Sequence, residues 1–261
     1  MTTTSLTPPC RGRPKKSPIA LLKTQVWFQA VSLISGKSAY QLEKYFHPEQ
    51  VRRGESWVIR PRRWDRYRNG VMEPKDVTGG LIDQVEAVAP SSAYWFRMPL
   101  WTAIEIAPLT QEQIDAQLMT LESEVLAVLF MPENNVGQKR QPFGDKESQQ
   151  LIELGSLDAL AAAILLVRES ETLRSSELRT VALETYRALQ RSIAECPPLQ
   201  TLYGKLFNYL DSAFPDELFI HKNKRMDVVI FTKGYWQGDW PKNDDITPLR
   251  EVTKKTLMVE K

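Results

Sequence analysis

Side chains able to do covalent chemistry are sparse in this 261-residue chain. Its two cysteines, Cys10 and Cys196, and its two histidines, His47 and His221, give neither a zinc spacing nor a disulfide framework. There is no Walker-type phosphate loop, no H-E-x-x-H, no C-x-x-C and no G-x-S-x-G. The acidic residues are scattered, and Asp244-Asp245 falls in a tail. The expectation is therefore a protein that is not an enzyme and carries no cofactor and no metal. What the sequence concentrates is arginine and lysine. Residues 1–70 hold 14 Lys/Arg against 4 Asp/Glu, whereas residues 101–261 hold 18 against 24. The net charge of +2 hides that split, and a basic first third points to a polyanionic partner.

The basic residues fall into three groups. Arg11-Gly12-Arg13-Pro14-Lys15-Lys16 lies in a Thr/Pro-rich stretch with almost nothing to bury, so residues 1–18 read as a disordered arm. Arg52, Arg53 and Arg60 lie in a polar connection. Arg62, Arg63, Arg66 and Asn69 lie in a segment bounded by Pro61, suited to the first position of a helix, and Gly70, suited to the left-handed position after its last turn. At 100° per residue, Trp64 and Tyr67 share one side of that helix. Arg62, Arg63, Arg66 and Asn69 share the other.

Other helices must position these groups. Leu22, Val26, Ala30, Leu33 and Ile34 recur at helical spacing up to Gly36. A second helix opens on a capping box, Ser38 with Gln41, turns Leu42, Tyr45 and Phe46 to one side and stops at Pro48. Residues 47–60 form the connection, with a short strand expected at Ser56–Ile59. A further helix is expected from about Val77 to Ala89, with Leu81, Ile82, Val85 and Val88 inward. The aromatic segment Tyr94–Trp101 is expected to seal the base of this small domain.

Two resemblances follow from these residues. Arg11–Lys16 resembles the AT-hook, an arm that enters A·T-rich minor grooves. The resemblance implies that Gly12 lets the backbone sink into a narrow groove, Pro14 keeps it extended, Arg11 and Arg13 follow the groove floor, and Lys15 and Lys16 meet phosphates. Residues 38–90 resemble helix-turn-helix domains of the Cro/repressor (XRE-like) type. Their pattern is a short helix, then a polar helix ending at Gly70, a step to Pro74, and a hydrophobic helix. The resemblance implies that Arg62–Asn69 lies in the major groove, where arginine pairs with guanine and asparagine with adenine, while Trp64 and Tyr67 anchor it. The chain departs from the family in one respect: the usual turn of 3–4 residues is replaced by the 14 residues from His47 to Arg60. Arg52, Arg53 and Arg60 in that insertion are candidates for phosphate contact.

The remainder reads as helical. Thr110 with Gln113 repeats the capping box, and Ile114, Leu118, Leu121, Val125 and Leu129 follow at helical spacing. After a Pro/Gly/Asn-rich loop at 132–146 come stripes at Leu154–Leu165, Leu178–Ile193 and Leu199–Phe214. The run Ala159–Val167 reads as a buried helix, too short to span a membrane. The N-terminus lacks the apolar segment of a secretory signal, and Pro8, Pro9, Pro14 and Pro18 speak against an amphipathic transit peptide.

The expected fold is mainly α: an N-terminal domain like a helix-turn-helix, a C-terminal helical bundle and a short irregular or β tail. The expected divisions are a basic arm at 1–18, a helical DNA-binding domain at 19–107, a bundle at 108–215 that dimerises or binds an effector or partner, and an irregular segment at 216–261 holding a strand candidate at Asp227–Thr232. The expected function is a DNA-binding transcriptional regulator. Its partner would be double-stranded DNA, with a homodimer as the form that reads two half-sites. It would be cytoplasmic and free of membrane, or associated with the nucleoid if bacterial. The alternatives are a helical protein-interaction adaptor and an RNA-binding protein.

Overall fold

The first helix, α1 (Pro18–Ser35), ends where Gly36 takes the left-handed conformation at φ +65°. In the computed structural model, which describes residues 17–54, 57–105, 109–133 and 137–213, the fold is mainly α. The arm around Arg11–Lys16 and the tail beyond 213, with its strand candidate, lie outside the described residues. Two units divide between Phe96 and Arg97, ahead of the boundary expected near Pro108.

In the first unit, α2 (Ala39–Phe46) begins with both halves of the capping box: Ser38 Oγ accepts from Gln41 N–H and Gln41 Oε1 accepts from Ser38 N–H. A 3₁₀ turn at Pro48–Gln50 follows, then a two-stranded antiparallel ribbon of β1 (Arg52–Arg53) and β2 (Val58–Ile59) with Arg52 opposite Ile59. Helix α3 (Arg63–Arg68) comes next. Gly70, at φ +62°, sends its N–H to Tyr67 O while Val71 N–H reaches Arg66 O, a Schellman closure of α3 that needs the left-handed glycine.

The hydrophobic helix expected from Val77 is shorter at both ends, α4 (Leu81–Glu86). Gly79 turns at φ +71°, and its N–H is taken by the Asp83 carboxylate at 2.7 Å, so helical geometry starts only after Gly80. Ile82 and Val85 are buried as expected. Helix α5 (Ser92–Arg97) begins where the Glu86 carboxylate accepts from the N–H groups of Ser91 and Ala93, both at 2.6 Å.

The core of this unit is aromatic. Trp64 stacks with Trp27 at 5.7 Å and 22° and with Phe46 at 5.4 Å and 26°. Tyr67 and Phe96 meet Trp27 edge-on, and Val31, Leu42, Ile82 and Val85 complete the cluster. Three helices thus converge on one indole.

In the second unit, α6 (Leu100–Ala103) is followed by α7 (Gln111–Leu118), which carries the expected capping box from Thr110, and by α8 (Ser123–Leu129). The single helix expected from Thr110 is thus broken. Glu122 N–H, at the start of α8, is taken by Asp158 from another helix at 2.8 Å. The stretch expected as a loop from 132 contains a hairpin, β3 (Phe130–Glu133) with β4 (Gly137–Arg140). Helices α9 (Asp145–Leu154), α10 (Leu157–Leu173), α11 (Ser176–Ala194) and α12 (Tyr203–Ala213) complete the unit. Helix α10 is buried from Leu157 to Ser170, the behaviour of a helix apolar on all sides; α6, α7, α8, α9 and α11 pack around it. Its polar groups are matched: Arg168 donates to Ala103 O and Glu105 O, both at 3.0 Å, and Glu169 accepts from Arg140 and Gln111 at 2.5 and 2.6 Å.

Candidate nucleic-acid interface

Helix α3 is anchored by its apolar face. Trp64 is fully buried and Tyr67 nearly so, whereas Arg66, Arg68 and Asn69 are exposed. Burial pushes the Tyr67 phenol above its ordinary range; the Arg63 guanidinium pulls it down and the Glu43 carboxylate raises it further. A helix of six residues has little intrinsic stability, so its direction is set by the Trp27–Trp64–Phe46 stack rather than by propensity.

Its start differs from the sequence expectation. Pro61 is not the first helical residue. Arg62 follows it in the left-handed conformation, φ 56° and ψ 31°, and the helix begins at Arg63. No side chain next to this start caps it. The cap comes from α2, where Glu43, with no exposure, accepts from Arg63 N–H at 2.8 Å and from the Arg60 guanidinium at 3.0 Å. A carboxylate at a helix N-terminus satisfies a free N–H and meets the positive end of the dipole. Arg60 also pairs with Asp65 at 2.5 Å and lies over the Tyr40 ring at 5.4 Å. Asp65 is shared with Arg68 at 3.4 Å.

These residues border an open groove of about 880 Å³, lined by Tyr40, Val58, Arg60, Arg62, Arg66 and Asn69 among others. Arg68 and Asp65 also reach it. Four arginines thus face one carboxylate, and that carboxylate is already paired.

The structure therefore brings together Arg60, Arg62, Arg66 and Asn69. It does not bring Arg63 with them: Arg63 is half-buried and absent from the groove wall. Arg60 lines the groove but faces inward to Glu43 and Asp65, so it shapes the site. Arg52 is exposed on β1 opposite Ile59, and Arg53 is opposite Val58. Arg11, Gly12, Arg13, Lys15 and Lys16 lie outside the described residues.

Glu43, Tyr40 and Arg68 were not singled out by the sequence reading. Glu43 had a signal. It is the first acid in the chain, and it occupies the i+4 position of an otherwise apolar stripe, Ala39, Leu42, Glu43, Phe46. A charge in such a stripe needs a buried partner.

In the second unit a cavity of about 460 Å³ is bordered by Arg140, Asp145, Glu169 and Leu178. Among the described residues no helix is long and apolar enough to cross a membrane. No family model, no curated protein and no solved structure matches the chain.

Proposed function

We propose that the chain is a DNA-binding protein, of the transcription-regulator kind, that holds duplex DNA with its basic first third. The observation that carries this reading is the disposition of α3. Its aromatic residues are locked in the core while Arg62, Arg66, Arg68 and Asn69 face solvent around one groove. Rigid presentation matters, because each flexible side chain ordered on binding costs affinity. Asparagine pairs bidentately with adenine and arginine with guanine, and exposed arginines such as Arg62 and Arg66 also neutralise phosphates. Arg52, and Arg11–Lys16 in the arm, would add contacts to phosphates and to an A·T-rich minor groove. The second unit would dimerise the protein or take an effector, and its Arg140–Glu169 cavity is the candidate place for the latter.

The test is binding of the full chain to random-sequence duplex DNA across a range of salt concentrations. Binding that weakens linearly in log–log form as salt rises is expected. Absence of binding even at low salt would remove the reading. Single-stranded RNA that competes better than duplex DNA would convert it to an RNA-binding role, and a co-purifying protein with no nucleic-acid binding would convert it to an adaptor.

A further inference from the structure

An apolar strand stands beside the groove. The ribbon places Trp57, Val58 and Ile59 in succession with exposures of 51%, 45% and 61%. Three large apolar side chains in a row, each about half exposed, are not explained by the aromatic core, which contains none of them. Val58 lines the same groove as Arg62 and Arg66. Strand alternation turns Trp57 and Ile59 to the opposite side from Val58, and Arg52 is cross-strand from Ile59. Gly54 holds the indole in place. Gly54 N–H donates to Trp57 O at 2.9 Å, and the indole lies across Gly54 so closely that any side chain there would collide with it.

We infer that this ribbon is a wedge for duplex DNA: Trp57 and Ile59 enter the minor groove and open a base step, while Arg52 meets the flanking phosphate. The inference rests on the DNA-binding reading of the groove and extends it to a second contacting element. Charge complementarity selects the occupant. Arg52 shares the ribbon face of Trp57 and Ile59, and Val58, on the other face, borders the groove with Arg62 and Arg66, so cations stand on both sides of the apolar strand and suit phosphates on either side of an apolar contact. Side chains that pry a step apart from the minor groove are large and apolar, and pyrimidine–purine steps yield most easily. DNA-binding proteins place β-ribbons in the minor as well as the major groove.

The test compares the full-length chain with its Trp57→Ala/Ile59→Ala variant on A·T-rich duplexes that carry 2-aminopurine at T-A steps and a dye at each end. Circular dichroism checks that the variant keeps its helices; Trp57→Ser and Ile59→Thr, tested singly, serve if it does not. The unchanged chain is expected to raise 2-aminopurine fluorescence and shorten the end-to-end distance. The variant is expected to lose both signals and bind at least tenfold more weakly. Its salt dependence is expected to stay the same, because the arginines that displace counterions are untouched. A variant that binds and unstacks like the unchanged chain would overturn the wedge and leave the groove reading standing. An unchanged chain that binds without raising 2-aminopurine fluorescence would do the same. An unchanged chain that fails to bind duplex DNA at low salt would overturn both.

Discussion

The buried carboxylate of Glu43 and the guanidinium of Arg60 meet at 3.0 Å across the gap between α2 and the start of α3. The second oxygen of the same carboxylate caps α3 through Arg63 N–H. One side chain thus fixes where the helix begins and neutralises the arginine at its threshold. Removing one partner of a buried ion pair costs about 3–5 kcal/mol, since the other is left uncompensated. Arg60 retains Asp65 and some solvent, which places Glu43→Ala near the lower end. Glu43→Gln should cost less, because its amide oxygen can still accept from Arg63 N–H. Urea unfolding followed by near-ultraviolet circular dichroism of the Trp27–Trp64 pair measures both. Equal losses for the two variants would show that the charge, not the cap, is what matters.

The coupling has a second consequence. Arg60→Ala and Glu43→Ala remove the same contact, so their combined effect should fall short of the sum of the two by about 0.5–3 kcal/mol, the range for groups in one hydrogen-bonded network. A double-mutant cycle in urea checks this. Strict additivity would mean that Arg60 is held by Asp65 and Tyr40 alone.

Much of the architecture could be read from local pattern, because local physics produced it. The capping boxes at Ser38 and Thr110, the left-handed Gly70, the inward Trp64 and Tyr67 and the buried α10 all follow from spacing within a few residues. What could not be read depends on partners remote in sequence. Pro61 is a favourable first helical residue in isolation, yet Glu43, twenty positions before Arg63, draws the start of α3 to Arg63. The helix expected across 110–129 breaks where Asp158 captures Glu122 N–H. For the site, the helical period turned Arg62, Arg63, Arg66 and Asn69 outward together, yet Arg62 lies ahead of the helix in the left-handed conformation and Arg63 is half-buried and off the groove wall. The inward turn of Arg60 was not legible, because an arginine in a polar connection carries no mark of whether a carboxylate waits behind it.

Trp64 ties α1, α2 and α3 together through its two stacked neighbours. Truncation to alanine should cost about 3–5 kcal/mol, as for other large buried aromatics. Trp64→Phe keeps a ring against Trp27 and Phe46 and should cost appreciably less. Thermal denaturation of the two variants gives the comparison. A Trp64→Ala protein as stable as the parent would show that the stack does not hold α3.

Glu86 makes stability depend on pH. Burial alone would push its carboxyl up. Hydrogen bonds from the N–H groups of Ala93, Ser91 and Ser92 and from the Ser92 hydroxyl outweigh that and hold it below the ordinary value of 4.5. A carboxyl depressed in the folded state stabilises that state above its unfolded pKa, and the contribution disappears as pH falls through the folded value. The unfolding midpoint should therefore drop on acidification below about pH 4.5. Glu86→Gln keeps one acceptor oxygen, so at neutral pH it should lose less than the roughly 1 kcal/mol of a wholly lost helix cap, and it should flatten that part of the profile. An unchanged acid limb in the variant would assign the pH dependence to other carboxylates.

Arg62 separates stability from binding. It holds a positive φ that disfavours any residue with a side chain, and it does so on the wall of the groove. Backbone strain of this kind clusters at binding and catalytic sites. Arg62→Gly relieves the backbone, so the variant should match the parent in stability or exceed it by up to about 1 kcal/mol. It should nevertheless bind duplex DNA more weakly, and the slope of log affinity against log salt should become shallower by about 0.9, the loss of one phosphate contact. Arg66→Ala, at a position with ordinary backbone, should change the slope in the same way with stability unchanged within about 0.5 kcal/mol. Calorimetry and salt titrations on the same preparations decide the matter. A stabilised Arg62→Gly protein that binds as tightly as the parent would place the DNA contact elsewhere on the basic third.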